Sequence, residues 1–267
     1  MAEAEAFVFD VDGTLVHRGP DFRSHVVPGA VELLDRIRGS GRRLVLFTNG
    51  SHVPADDIAR ALTEDGLPVA GDEVLTPVES AITYVRRYHS GSPVSLFSTE
   101  VIRERIAAAG IPLTARDDAE VVLVTHADEI DIRVLERAAH AVRRGARLLT
   151  GSYVPGFAGA NGFVLSRGAM ITAAIAKVSG ARPKVVGKPS SAAVGELRTH
   201  FGRPTQELAV IGDDLDVDIR LGRMADAHTV LVRSGTSGAI DRGRVPARAR
   251  PDAVIDSVAD LLDNLAD

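Results

Sequence analysis

Short apolar runs alternate with amphipathic stretches along almost the whole chain, and this alternation restricts the fold more than any other feature of the sequence. Residues 6–9, 44–47, 94–97, 121–124, 147–149, 184–186, 208–211 and 229–232 read as strands. Residues 30–37, 55–62, 78–88, 101–109, 132–142, 169–178 and 192–200 carry apolar side chains at helical spacing. A short helix is expected near Ile219 and a terminal helix over residues 253–265. Strand–helix units of this length imply a mainly parallel sheet covered on both faces, an α/β fold. The stretch from 235 to 251 is rich in Gly, Arg and Ala and reads as a surface loop. There is no internal repeat and no low-complexity tract.

Bulk properties narrow the function. With 267 residues and 45% hydrophobic content the chain can bury a sizeable core, in one large or two modest domains. A net charge of -5 argues against nucleic acid as the main partner, because no excess of positive charge faces a phosphate backbone. There is no cysteine, which excludes disulfides, zinc–thiolate sites and a cysteine nucleophile. No apolar run reaches the roughly 18 residues of a membrane span, and no basic segment precedes an apolar one at the start. A cytoplasmic protein without a membrane partner is expected; oligomeric state is not legible.

Polar clusters directly follow four of the expected strands. Asp10 opens Asp10-Val11-Asp12-Gly13-Thr14-Leu15 after the first. Ligands in open α/β sheets bind beyond the carboxyl ends of strands, where two such carboxylates can converge on one centre. The alternative is a strand closed by an Asp-Gly turn; a calcium loop is excluded because its sixth position is Leu15, not glycine. Thr48-Asn49-Gly50 follows the second strand and offers a hydroxyl and backbone amides to a phosphate, or simply turns the chain. Lys188 stands in Val186-Gly187-Lys188-Pro189, past another strand. Only three of the 31 basic residues are lysines, Lys177, Lys184 and Lys188, so a retained lysine suggests a need for a compact ammonium, although an isolated lysine is as a rule a solvated one. Gly212-Asp213-Asp214-Leu215-Asp216-Val217-Asp218 follows the strand at 208–211. Carboxylates so crowded repel each other unless a cation offsets them, or unless the turn is simply solvated. Ile219 and Ala225, at the sixth and twelfth positions from Asp214, exclude an EF-hand.

In this order the four clusters resemble the four motifs of the haloacid dehalogenase superfamily: Asp-x-Asp-Gly-Thr, a threonine after a strand, a lysine, and Gly-Asp-x-x-x-x-Asp. The spacing narrows the branch. Only 35 residues separate Asp12 from Thr48, whereas 139 lie between Thr48 and Lys188, so an insert is expected between the second and third motifs. With Thr48-Asn49-Gly50-Ser51 and Gly187-Lys188-Pro189-Ser190, the placement is similar to the NagD-like, para-nitrophenylphosphatase-like branch (class IIA). The resemblance implies a Rossmann-like core with a parallel sheet over residues 1–80 and 184–267, and an α/β cap over 81–183. The chain departs from that branch in having Gly50 where a second asparagine is common and Val217 where threonine is common. It also reads Thr150-Gly151-Ser152-Tyr153 in the cap loop, where Thr-Asn-x-Asp is usual.

The resemblance further implies magnesium-dependent hydrolysis of a small phosphorylated metabolite, a phosphate monoester, through an aspartyl-phosphate on Asp10. Asp12 is implied as acid and base, and Thr48 and Lys188 as catalytic groups holding the phosphate. Mg2+ would be held by Asp10, the Asp12 carbonyl and Asp213, with Asp218 and Asp214 behind them; Asp216 has no role assigned. Substrate contacts are expected from Asn49 and Gly50 in the core and from Gly151, Ser152 and Tyr153 in the cap. One alternative is phosphotransfer or phosphomutation on the same intermediate. Another is a non-catalytic phosphometabolite-binding protein, whose mark would be loss of Asp10, Asp12, Lys188 or Asp213; none is lost. A dehalogenase would leave Asp12 and the metal ligands without a task. Nothing in the sequence names the ester.

Overall fold

A computed structural model of the chain describes residues 4–18, 23–159, 162–235 and 245–264. In chain order its first elements are β1 (Ala6–Phe9), β2 (Val16–Arg18), β3 (Ser24–Val26), α1 (Ala30–Gly39), β4 (Arg43–Phe47), α2 (Ala55–Glu64), β5 (Val74–Leu75) and α3 (Pro77–Tyr88). Then follow β6 (Val94–Phe97), α4 (Glu100–Ala108), β7 (Val121–Val124), α5 (Ile132–Arg143), β8 (Arg147–Thr150), the hairpin β9 (Gly156–Gly159) and β10 (Gly162–Leu165), and α6 (Arg167–Ser179). The chain ends with β11 (Lys184–Val185), α7 (Ser191–Phe201), β12 (Leu208–Gly212), α8 (Arg220–Ala225), β13 (His228–Val232) and β14 (Ala253–Ile255).

Two parallel sheets result. The larger has the order β14-β13-β12-β1-β4-β5 and the smaller β11-β8-β7-β6. Side chains alternate across a strand, so each central strand feeds two cores. From β1, Phe7 and Phe9 pack with Leu33, Leu34 and Ile37 of α1 and Leu62 of α2, while Ala6 and Val8 pack with Leu197 and Phe201 of α7 and Leu221 of α8. In the second sheet Val121 and Leu123 of β7 face α3 and α4, and Val122 and Val124 face α5 and α6. Burial on both faces is why these strands read as continuous apolar runs. No helix among the described residues is long and apolar enough to cross a membrane.

Several expectations need correction. The terminal helix over 253–265 is instead β14, an edge strand parallel to β13, followed by a 3-10 segment at Val258–Asn264; Asp267 and its two predecessors lie outside the described residues. The run Ala253-Val254-Ile255 is largely β-branched, and an open sheet edge was available to it. Of the loop expected at 235–251, residues 236–244 lie outside the described residues, and Ala247–Ala249 form a 3-10 turn. The strand expected at 184–186 hydrogen-bonds to β8 in the second sheet: Lys184 pairs with Leu149, Val185 with Thr150, and the Val186 N–H donates to the Thr150 carbonyl at 2.9 Å. The hairpins β2–β3 and β9–β10 and the two-residue strand β5 escaped sequence reading because they are too short for a period to show.

The junction between the sheets is tight. The Gly187 N–H donates to the Gly151 carbonyl at 2.9 Å, and a Cβ on Gly187 would overlap that oxygen and come within 2.9 Å of Pro77. Gly195, in the middle of α7, has open space where its Cβ would be. Gly187→Ala is thus expected to lower the unfolding free energy by about 1–3 kcal/mol, since backbone must move. Gly195→Ala is expected to raise it by about 0.5–1 kcal/mol through helix propensity. Urea denaturation of both variants checks the contrast.

Candidate active site

Parallel strands share one carboxyl edge, so the segments that follow β1, β4 and β12 emerge side by side. Asp10 follows β1 and is anchored by its N–H to the Ile211 carbonyl at 2.8 Å. Asp213, buried, follows β12. Asp218 lies one turn further, in a π-helical turn at Leu215–Ile219 that Asp214 caps by accepting from the N–H groups of Asp216 and Val217. Lys188 arrives from the other side, three residues past β11, and its ammonium reaches Asp10 Oδ1 and Asp218 Oδ1 at 2.7 Å each. The three side chains are 2% (Lys188), 13% (Asp10) and 3% (Asp218) exposed.

Small residues make this packing possible. A Cβ on Gly13, whose φ is +90°, would lie 2.6 Å from Asp213 Oδ2. A Cβ on Gly235 would overlap the same carboxylate, and one on Gly212 would overlap that of Asp218. The Asp-Gly pair after β1 therefore both turns the chain and clears space for a carboxylate across the sheet.

Burial and charge compete at each group. The Asp10 carboxyl is raised to about 7: burial pushes it up most, Lys188 pulls it down, and the charges of Asp218 and Asp12 add to the rise. Burial likewise raises Asp218, with Lys188 opposing and Asp213 and Asp214 adding to the rise. For Lys188 burial acts to lower the ammonium, but the two carboxylates outweigh it and hold it above the ordinary lysine range. The ammonium is a fixed positive charge at any physiological pH. Asp10, Asp213 and Asp218 each offer an oxygen within 4.8 Å of the other two, a spacing that a single cation can span.

The remaining expected residues divide. Thr48 is buried, and its Oγ1 accepts from the Gly50 N–H at 3.0 Å, which leaves the hydroxyl hydrogen to be donated. Asn49 forms a reciprocal clamp on Lys188: Nδ2 donates to the Lys188 carbonyl and Oδ1 accepts the Lys188 N–H, both at 3.1 Å. The amide expected to touch substrate is thus bonded to the backbone that carries the lysine. In the second sheet Gly151 is buried against Pro77 and Gly187, and Ser152 is buried with no hydrogen-bond partner for its hydroxyl among the described residues. Tyr153 is 40% exposed. Asp216 points outward and supplies only its N–H to the Asp214 cap.

Asp12 stands apart from the buried cluster. Its Oδ1 accepts from Arg18 Nε at 2.6 Å, and Arg18 Nη1 donates to Ser24 Oγ at 3.0 Å. Arg18 was not singled out from sequence. Its only signal there was its place six residues after Asp12, and the short hairpin that folds it back was not recognisable.

Comparison with known proteins bears on this geometry. Residues 7–112 match the family model of haloacid dehalogenase-like hydrolases, and residues 185–261 match a second, HAD-hydrolase-like model. The chain is 30% identical over 258 residues to the ribonucleotide monophosphatase NagD of Escherichia coli, covering 95% of this chain and 96% of that protein. The solved p-nitrophenyl phosphatase of Archaeoglobus fulgidus superposes with a TM-score of 0.86 at 26% identity, over 98% of this chain and all of that one. The glycerol phosphate phosphatase of Mycobacterium tuberculosis in complex with magnesium superposes with a TM-score of 0.84 at 27% identity, covering 96% of this chain and 75% of that one. Sequence kinship along the full length, and a carboxylate–lysine cluster at the carboxyl edge of a parallel sheet, make this chain a member of the haloacid dehalogenase-like hydrolases, in their NagD-like phosphatase branch.

Proposed function

We propose that the protein hydrolyses a small phosphate monoester in two displacements, with Asp10 as the covalent nucleophile and Mg2+ as its metal. The observation that carries this reading is the buried Lys188 ammonium bonded at once to Asp10 and Asp218, with Asp213 beside them. In the first step an Asp10 oxygen attacks phosphorus, the bond from phosphorus to the leaving oxygen breaks, and Asp12 gives that oxygen a proton. In the second, water attacks the aspartyl-phosphate, Asp12 takes its proton, and phosphate departs with the original Asp10 carboxylate restored. Splitting one displacement into two lowers each barrier, and a positioned acid–base group contributes roughly 10²–10⁴-fold.

Each neighbour has a task that its bonding supports. An ammonium carries three hydrogens; two go to Asp10 and Asp218, and the third is available to a phosphoryl oxygen. The Thr48 hydroxyl, whose oxygen accepts from the Gly50 N–H, supplies a second donor. Asn49 holds the Lys188 backbone, and Asp218 holds its head. The second sheet and its helices, with β11 added to residues 81–183, form the cap in this reading. The exposed Tyr153 and its neighbours Gly151 and Ser152 are the cap residues we assign to the substrate side.

The donor set suits magnesium. Oxygen ligands from a few carboxylates are what that ion takes, and a carboxyl lifted to about 7 by burial needs a nearby cation to stay ionised as a nucleophile. Asp10, the Asp12 carbonyl and Asp213 would hold the ion, which would supply charge neutralisation for an anionic nucleophile meeting an anionic phosphate. The magnesium complex of the mycobacterial relative supports the choice of metal. The activities of the relatives span ribonucleotides, nitrophenyl phosphate and glycerol phosphate, so the class proposed is the small-molecule monoester.

Three outcomes are expected. Asp10→Asn lowers phosphate release by more than about 10³-fold while circular dichroism and the unfolding midpoint stay close to wild type. A chelator abolishes activity and Mg2+ restores it; by calorimetry Asp213→Ala weakens metal binding by at least about tenfold, and Asp216→Ala by less than about twofold. Substantial turnover by Asp10→Asn, or equal metal affinity in the two other variants, contradicts the assignment. With sugars present as acceptors the phosphorus product is free phosphate; a new phosphate ester would point to transfer instead.

A further inference from the structure

Asp12 is far less buried than Asp10 or Asp218, with 39% of its side chain exposed, yet proton transfer demands that it be held in one place. A solvent-facing carboxylate turns among rotamers unless something fixes it. Here that something is Arg18. The hairpin β2–β3 places Arg18 opposite Ser24, and Arg18 Nη1 donates to the buried Ser24 hydroxyl at 3.0 Å. The hairpin is itself tied to the end of α2, because the Ser24 N–H donates to Asp65 Oδ2 at 2.7 Å. The guanidinium is therefore anchored before it reaches Asp12, and its Nε meets Asp12 Oδ1 at 2.6 Å.

We propose that Arg18 is a positioning residue that aims the acid–base carboxylate of Asp12 at the leaving oxygen of the substrate. The proposal rests on Asp12 being the general acid, as argued above. Arg18 occupies Oδ1, so Oδ2 is the oxygen that delivers the proton to the leaving group and later takes one from water. A guanidinium keeps its own protons under all working conditions, so the pair can orient the carboxylate without competing for the transferred proton. The planar fork also matters: Nε faces Asp12 while Nη1 faces Ser24, and a lysine offers no second fixed donor to reproduce this.

Leaving-group dependence distinguishes this role from a structural one. The nitrophenolate ion leaves without a proton, whereas an alkoxide needs one. The ratio kcat/KM reports only the steps up to loss of the alcohol, so the experiment measures it for p-nitrophenyl phosphate, phenyl phosphate and glycerol phosphate. The Mg2+-loaded enzymes compared are wild type, Arg18→Met, Arg18→Lys, Asp12→Asn and the Arg18→Met/Asp12→Asn double variant. The expected result is a loss on glycerol phosphate that exceeds the loss on p-nitrophenyl phosphate by at least about tenfold in Arg18→Met, a part of the general-acid contribution. Arg18→Lys, which keeps the charge and loses the fork, shows the same split at smaller size. In the Asp12→Asn background Arg18→Met adds less than about twofold, because its effect passes through the missing carboxylate. Equal losses on all three esters, no loss on any, or a split that persists without Asp12 overturns the proposal. If Asp12→Asn itself shows no dependence on the leaving group, the assignment of Asp12 as general acid fails, and that result is read without any Arg18 variant.

Discussion

One ammonium in a nearly dry place constrains the rest of the molecule. Lys188 is 2% exposed and stays charged only because two carboxylates meet it at 2.7 Å. Taking one such charge out of water without a partner costs several kcal/mol. Three separate parts of the chain must therefore arrive together: the end of β1, the segment after β11 and the helical turn after β12. Asn49 adds a fourth by gripping the Lys188 backbone from the end of β4. The arrangement joins the two sheets, because β11 belongs to one and the carboxylates to the other.

The same crowding accounts for the glycines and for the charge balance. Gly13, Gly212 and Gly235 stand where any side chain would strike Asp213 or Asp218. Burial raises Asp10 and Asp218 together, so the cluster favours bringing in positive charge. In the proposed mechanism, a divalent cation and a phosphoryl group held by Lys188 and Thr48 are complementary demands of one site. Asp12 lies at the wetter edge, paired with its own cation, Arg18. Asp10 and Asp12 thus sit in different surroundings, one shielded and one more open to solvent.

Much of this was legible before any coordinates. Strands buried on both faces announce themselves as apolar runs, and Ala6–Phe9, Val94–Phe97 and Val121–Val124 have the bounds expected of them. The acidic, threonine and lysine clusters were marked by position, each after a strand, and the structure brings Asp10, Lys188, Asp213 and Asp218 together. Other features depended on partners distant in sequence. Asn49 turns toward the lysine backbone 139 positions away, and nothing local in Thr48-Asn49-Gly50 signals that. Arg18 is brought to Asp12 by strands of three residues, too short for a period. The segment after Pro251 spaced its apolar residues like a helix, but a vacant sheet edge took its first residues as β14.

The covalent bond to Asp10 is the centre of the account, and trapping it is the most direct test. In Asp12→Asn protein the hydrolysis of the intermediate is slowed, so mixing it with Mg2+ and p-nitrophenyl phosphate and quenching in acid should capture the phosphoryl-enzyme. Mass spectrometry of the digested protein is predicted to find one phosphoryl group, on the peptide that carries Asp10 and on that residue. A phosphoryl group on a different side chain, or continued nitrophenolate release with no phosphoryl-protein at any quench time, would contradict the account.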